Sequence, residues 1–218
     1  MERCYIHGTT PTSPVVDAST FVYREWRDFD ADAAVTVDEA LREIDDTQMA
    51  DVMLGGTHPP NMDIALATRA FLHAKAVLLE YTSINVYDAL CDALESPDCR
   101  IEDVAVRRIQ FTVGEYHAGL RRFHRAVTTT PRLRRFETED ESLMLMLKGC
   151  QTLEEISGCG DGMWLPGEQL LRVLTGLPSL RRVVRFLNPL SDFKQAWPEC
   201  CESVTRYGTR TILRAPEA

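Results

Sequence analysis

The densest set of metal-binding side chains in this sequence is DFDADAAVTVDE, from Asp28 to Glu39. A calcium loop of the EF-hand type wants carboxylates at its first, third and fifth positions, an apolar residue at the eighth and a bidentate glutamate at the twelfth. Asp28, Asp30, Asp32, Val35 and Glu39 meet that spacing. The sixth position, where glycine makes the sharp turn, is Ala33. No paired-helix pattern flanks the run. An acidic solvated loop before a helix over 37–44 therefore competes with calcium, with Asp38 and Glu39 favoured at that helix's N-terminus.

Other reactive residues lack partners at useful spacing. His117 and His124 lie seven apart on one helix beside Arg121, Arg122 and Arg125, but a metal site needs a third ligand. The stripe Tyr116, Leu120, Phe123 and Val127 leaves both histidines flanking the core on a basic, solvated face. Seven cysteines are scattered without a CxxC pair. Cys91 and Cys150 follow or sit within apolar helices and read as small buried hydrophobes, while Cys200 and Cys201 adjoin a strand start. The CGDG at Cys159 to Gly162 lacks the GK[ST] of a phosphate loop and reads as a turn. There is no GxSxG, HExxH or GxGxxG. The chemistry on offer is that of a non-enzymatic protein needing no cofactor.

Composition narrows the class further. Of the 218 residues, 44% are apolar and 26% charged, as in ordinary soluble domains. No apolar run reaches membrane-spanning length, and MERCYIHGTTPTSPVV has no secretory apolar core. An odd, scattered cysteine set points to free thiols in a reducing, intracellular compartment, cytoplasmic or nuclear. The net charge of −9 opposes general binding to nucleic acid or acidic membrane. The charge is uneven: residues 1–99 hold 6 Lys/Arg against 18 Asp/Glu, and residues 100–218 hold 18 against 15.

The elements that would position these residues recur. An apolar-x-x-apolar strand start, a short loop and an amphipathic helix repeat from Met49, Ala76, Ile101, Leu133, Leu153, Leu180 and Val204. The successive spacings are 27, 25, 32, 20, 27 and 24 residues. The unit is plainest in QTLEEISGCGDGMWLPGEQLLRVLTGLPSLRRVV. There Leu153 and Ile156 open a strand, Pro166 suits a first helical turn, and Leu170, Leu171, Leu174 and Leu177 form one stripe before Pro178. Short strands that need neighbours, and helices that need a sheet, are both satisfied by stacking. STFVYREW suits an edge strand. Residues 1–48 read as an N-terminal cap with a degenerate first repeat. Residues 49–218 read as repeats, ending in a closing strand from Val204.

In this pattern the chain resembles the leucine-rich repeat proteins, nearest to the ribonuclease-inhibitor-like subclass, whose strand reads LxxLxLxxNxL before a helix. The first two apolar positions are held in all seven units, and Asn188 holds the asparagine position. Val86, Phe111, Leu143, Met163 and Leu190 hold the last apolar position, which assigns Met163 to packing. Trp164 beside it is a candidate partner anchor. The resemblance implies an α/β solenoid with parallel strands on the concave side and helices on the convex side.

It also implies a binding face made of the strand positions between the apolar ones. Here those are Asp51 and Met53; Val77, Leu78 and Glu80; Glu102, Asp103 and Ala105; Arg134, Arg135 and Glu137. They continue as Glu154, Glu155 and Ser157; Arg181, Arg182 and Val184; then Thr205 and Arg206. Like-charged pairs alternate along this face, acidic at Glu102–Asp103, basic at Arg134–Arg135, acidic at Glu154–Glu155 and basic at Arg181–Arg182. Cross-strand ion pairing explains such alternation without a ligand. With Val77 and Leu78 beside it, the ladder also suits a protein partner. The expected function is a non-enzymatic protein-interaction module. A substrate-recognition subunit of a ubiquitin ligase, a GTPase regulator, or a calcium-responsive protein acting through Asp28 to Glu39 are the alternatives. No F-box-like helical segment precedes the repeats.

Overall fold

Val104 and Val106 alternate with Asp103, Ala105 and Arg107, a two-residue period that sends one set of side chains inward and the other outward. The computed structural model describes residues 2–8, 21–25, 49–56, 64–80, 84–107, 113–159, 162–205 and 208–215. Within them that alternation builds a ten-stranded sheet. Its strands are β1 (Glu2–Gly8), β2 (Phe21–Glu25), β3 (Met49–Gly56), β4 (Ala76–Glu80) and β5 (Asp103–Arg107). They continue as β6 (Arg135–Thr138), β7 (Glu155–Gly158), β8 (Arg182–Val184), β9 (Cys201–Val204) and β10 (Arg210–Leu213). The helices are α1 (Ile64–His73), α2 (Ile84–Glu95), α3 (Val113–Thr129), α4 (Glu141–Met146), α5 (Gly167–Gly176) and α6 (Leu190–Ala196).

The spatial order is β2-β1-β3-β4-β5-β6-β7-β8-β10-β9, parallel from β2 through β8. From β3 to β8 each strand lies beside its predecessor with one helix between them, and successive helices pack on one another. The chain is thus an α/β protein with a mostly parallel sheet alternating with helices. In the register, Val77, Val104, Phe136, Ile156 and Val183 form one row. All five are buried in the same core as Leu90, Phe123 and Leu170 of the helices. The tilted stack Tyr87–Phe123–Phe136, with centroids 5.7 and 5.3 Å apart, fastens α2 and α3 to β6.

One carbonyl per unit repeats the same junction. The Lys75 carbonyl accepts from the amides of Glu102 and Asp103, at 2.8 and 3.2 Å. Glu102 does the same for Arg134 and Arg135, Arg134 for Glu154 and Glu155, and Glu154 for Arg181 and Arg182. This places Ala74, Ile101, Leu133, Leu153 and Leu180, all buried, at equivalent positions. The unit read from Ala76 therefore begins at Ala74, two residues earlier, with Val77 and Leu79 as its next two core residues. The uneven spacings leave the strands untouched: a 17-residue helix, α3, fills the longest interval and a 6-residue helix, α4, the shortest.

The closing unit also differs from expectation. Val204 ends β9 rather than opening a strand and is 59% exposed. The strand that meets β8 is β10, antiparallel, with Ile212 buried opposite Val183. Gly208, at φ +80°, and the Thr205–Thr209 hydrogen bonds lie at the end of the antiparallel β9–β10 pair, a hairpin that a single strand from Val204 does not contain.

Helix α4 is too short to form without a cap. Asp140 Oδ1 accepts from the amides of Ser142 (2.7 Å) and Leu143 (3.3 Å), and Thr138 Oγ1 accepts from the Asp140 amide at 3.0 Å. Asp140→Ala is expected to lower stability by about 1 kcal/mol in urea denaturation. An unchanged midpoint would show that the cap does not hold this helix.

Candidate functional site

Opposite the helix-covered core, charge organises the outward positions of β5 to β8, where Arg135 and Arg182 are exposed, Asp103, Arg107, Glu137 and Glu155 half-buried, and Ser157 buried. Arg135 clasps Asp103 through Nε and Nη2, both contacts 2.5 Å, and this hydrogen bonding lifts its guanidinium above the ordinary arginine range. Arg182 Nη1 reaches Glu155 at 2.9 Å. One residue earlier, Lys75 meets Glu102 at 3.4 Å and Arg134 meets Glu154 at 2.5 Å. The like-charged pairs seen in the sequence thus face opposite pairs on the next strand. Arg181 is exposed, and among the described residues no carboxylate meets its side chain within salt-bridge distance. Arginine side chains in these pairs remain more than half exposed, so each pair contributes at most about 1 kcal/mol.

One predicted face residue is placed differently. Val77 is 2% exposed and belongs to the core, because the unit starts at Ala74; it does not line the face. Leu78 is on the outward side, half-buried beside the half-buried Ala105 in the register. Glu80 pairs in register with Arg107. The acidic run Asp28, Asp30, Asp32 and Glu39 lies outside the described residues.

A second cluster sits at the C-terminal ends of the strands. Glu137 receives Arg107 through Nη2 at 2.5 Å and Nε at 3.1 Å. It also accepts the Cys159 thiol at 3.4 Å and lies 3.8 Å from Arg185 Nη1. Arg185 occupies the strand position that is core-facing in its neighbours, as in Val106 and Thr138. A guanidinium has no place there, and the backbone takes φ 56°, left-handed for a residue other than glycine. The side chain emerges toward Glu137, two strands away, across Ser157 and Gly158. Arg185 falls at the third apolar position of LxxLxL; Arg107 was left off the face because the pattern does not count its position, and Lys75 because the unit was begun at Ala76 rather than Ala74. The unexpected charge at an apolar position was the available signal.

Next to Arg185, Met163 and Phe186 form a parallel bridge, with the Met163 amide donating to the Arg185 carbonyl (2.8 Å) and Leu187 donating to Met163 (2.7 Å). Met163, Leu165, Phe186 and Asn188 are buried, and the residues between them point outward: Trp164 is 52% and Leu187 59% exposed. The Leu187 side chain lies over Gly162, where an added Cβ would come within 3.1 Å of it. Asn188 binds both backbone groups of Leu165, its Oδ1 accepting at 3.1 Å and its Nδ2 donating at 2.7 Å.

The other candidate chemistry is dispersed. His124 Nδ1 sits 2.6 Å from the Met146 carbonyl, and His117 sits edge-on to Tyr116. Burial pushes the thiols of Cys91, Cys99 and Cys200 up, away from the thiolate a nucleophile needs. Among the described residues no three His, Cys, Asp or Glu side chains come together as a metal site, and no helix is long and apolar enough to cross a membrane. Neither a protein-family model nor a curated protein matches this chain.

Proposed function

We propose that the chain is a leucine-rich repeat solenoid of the ribonuclease-inhibitor-like kind, an intracellular, non-enzymatic module that binds a protein through its open, concave sheet face. The repeated two-amide junction and the buried Asn188, tying one unit's backbone to the next, support the repeat reading. The observation that carries the function is the face itself: the side of the sheet opposite the helices, bearing charged side chains in strand register, half in solvent. Such a surface orients and selects a partner more than it binds tightly, and the apolar contacts beside it supply affinity. A ubiquitin-ligase substrate-recognition subunit and a GTPase regulator are specific forms of this role, and the captured protein's identity separates them.

Reversing only the arginines would set like charges against Asp103, Glu154 and Glu155 and weaken the sheet. The sharper variant exchanges partners: Asp103→Arg with Arg135→Asp, and Glu155→Arg with Arg182→Glu. The ion pairs persist, so the melting temperature is expected to stay within about 5 °C of wild type. The pattern seen by a partner is inverted, and proteins retained by the wild-type chain from lysate should be lost. Identical retention by the folded variant rejects the face as the docking surface.

A further inference from the structure

Arg185 and the Trp164–Leu187 pair join three features that packing alone does not require: a left-handed backbone at an arginine, a large exposed indole, and an exposed leucine beside it in the register. Strained backbone and exposed aromatics concentrate where a protein makes contacts outside itself. The charges there are unbalanced. Glu155 is engaged by Arg182, Glu154 by Arg134 and Glu137 by Arg107, so among the described residues Arg185 holds only a long 3.8 Å ion-pair contact to an oxygen of a carboxylate already bound. A guanidinium offers five N–H donors in a fork that matches a carboxylate.

We infer that Trp164, Leu187 and Arg185 form the anchoring subsite for the protein partner, which presents an acidic segment with an apolar side chain beside its carboxylates. The inference rests on the proposed role of the open face and names the partner's chemistry. The apolar side chain packs on Trp164 and Leu187, and a neighbouring carboxylate takes Arg185 without displacing Arg107 from Glu137. Local positive charge excludes a basic segment, and the exposed leucine and indole favour a peptide over a phosphate backbone.

The test uses the full chain and fluorescein-labelled synthetic peptides of about twelve residues, read by anisotropy. One peptide is glutamate-rich with a central Leu-Phe, a second replaces Leu-Phe by Ser-Ser, and a third replaces every Glu by Lys. The first should bind, and losing either feature should weaken binding about tenfold or more. Trp164→Ala and Arg185→Gly should each weaken it by a similar factor. Glycine adopts the left-handed backbone without strain, so Arg185→Gly should melt at or above wild type, which separates a lost contact from a lost fold. No saturable binding of the first peptide below about 1 mM overturns the inference, as do unchanged affinities in both variants or equal binding of the lysine peptide. Preference for oligothymidylate or phosphatidylserine vesicles, or a dimer abolished by Trp164→Ala, would also overturn it.

The charge-exchanged face variant separates the two proposals. Binding lost there but kept in Trp164→Ala and Arg185→Gly removes the subsite and leaves the face. The opposite result keeps the subsite and removes the wider face.

Discussion

Replacing Asn188 by alanine is expected to lower stability by about 2–5 kcal/mol, the cost of stranding two buried backbone groups. The side chain is fully buried and serves Leu165 twice, accepting from its amide and donating to its carbonyl, with a longer contact from Nδ2 to Asp192 at 3.3 Å. Alanine removes every one of these contacts. Asn188→Asp is a stricter probe: it keeps an acceptor for the Leu165 amide but sets a carboxylate against the Leu165 carbonyl. It should be at least as costly. Urea denaturation followed by circular dichroism measures both, and a loss below about 0.5 kcal/mol for alanine would mean that the bridge is not what joins these units.

Gly158→Ala is expected to cost about 3 kcal/mol or more, with the clash falling on backbone. A Cβ at this position would stand 2.5 Å from the Arg185 carbonyl, 2.7 Å from the Met163 amide and 2.8 Å from the Met163 Cβ. Those first two atoms are the partners in the hydrogen bond that closes the Arg185–Met163 crossing, so the methyl group would wedge it open. A flexible side chain could yield; two backbone segments pinned between β7 and β8 cannot. Gly167→Ala is the control, because nothing lies within 4 Å of its added Cβ. Thermal unfolding should therefore drop for position 158 and hold for 167. Equal behaviour would show that the crossing accommodates a methyl group.

The sequence disclosed the frame where the residues were strong. Ile101, Leu133, Leu153 and Leu180 are large, apolar and followed three residues later by another core residue, and all are buried at equivalent positions. Ala74 was missed because alanine says little, although Ala74, Val77 and Leu79 together satisfy all three apolar positions of the strand pattern. A strand begun at Ala76 puts Val77 on the face; begun at Ala74, it puts Val77 in the core, where it lies. The hairpin at the end was hidden by reading through Gly208, a residue that breaks strands more often than it extends them. Sign alternation along the face was legible in the like-charged pairs, but not which side chains meet, since Arg107, Lys75 and Arg185 join through register and backbone torsion. No local signal announces a left-handed arginine, because its backbone partners, Met163 and Arg210, lie 22 residues before it and 25 after it along the chain.

The helices that join β5 to β6 and β6 to β7 differ almost threefold in length, yet their strands keep one register. Chain length is therefore absorbed on the outside. Whole helical turns can be gained or lost along the outer layer without moving Arg135, Glu155 or Arg182 relative to one another, whereas a single residue added to a strand would turn its outward side chains into the core. Over generations of insertion and deletion, such a protein would hold the spacing of its charged face while its back grew and shrank.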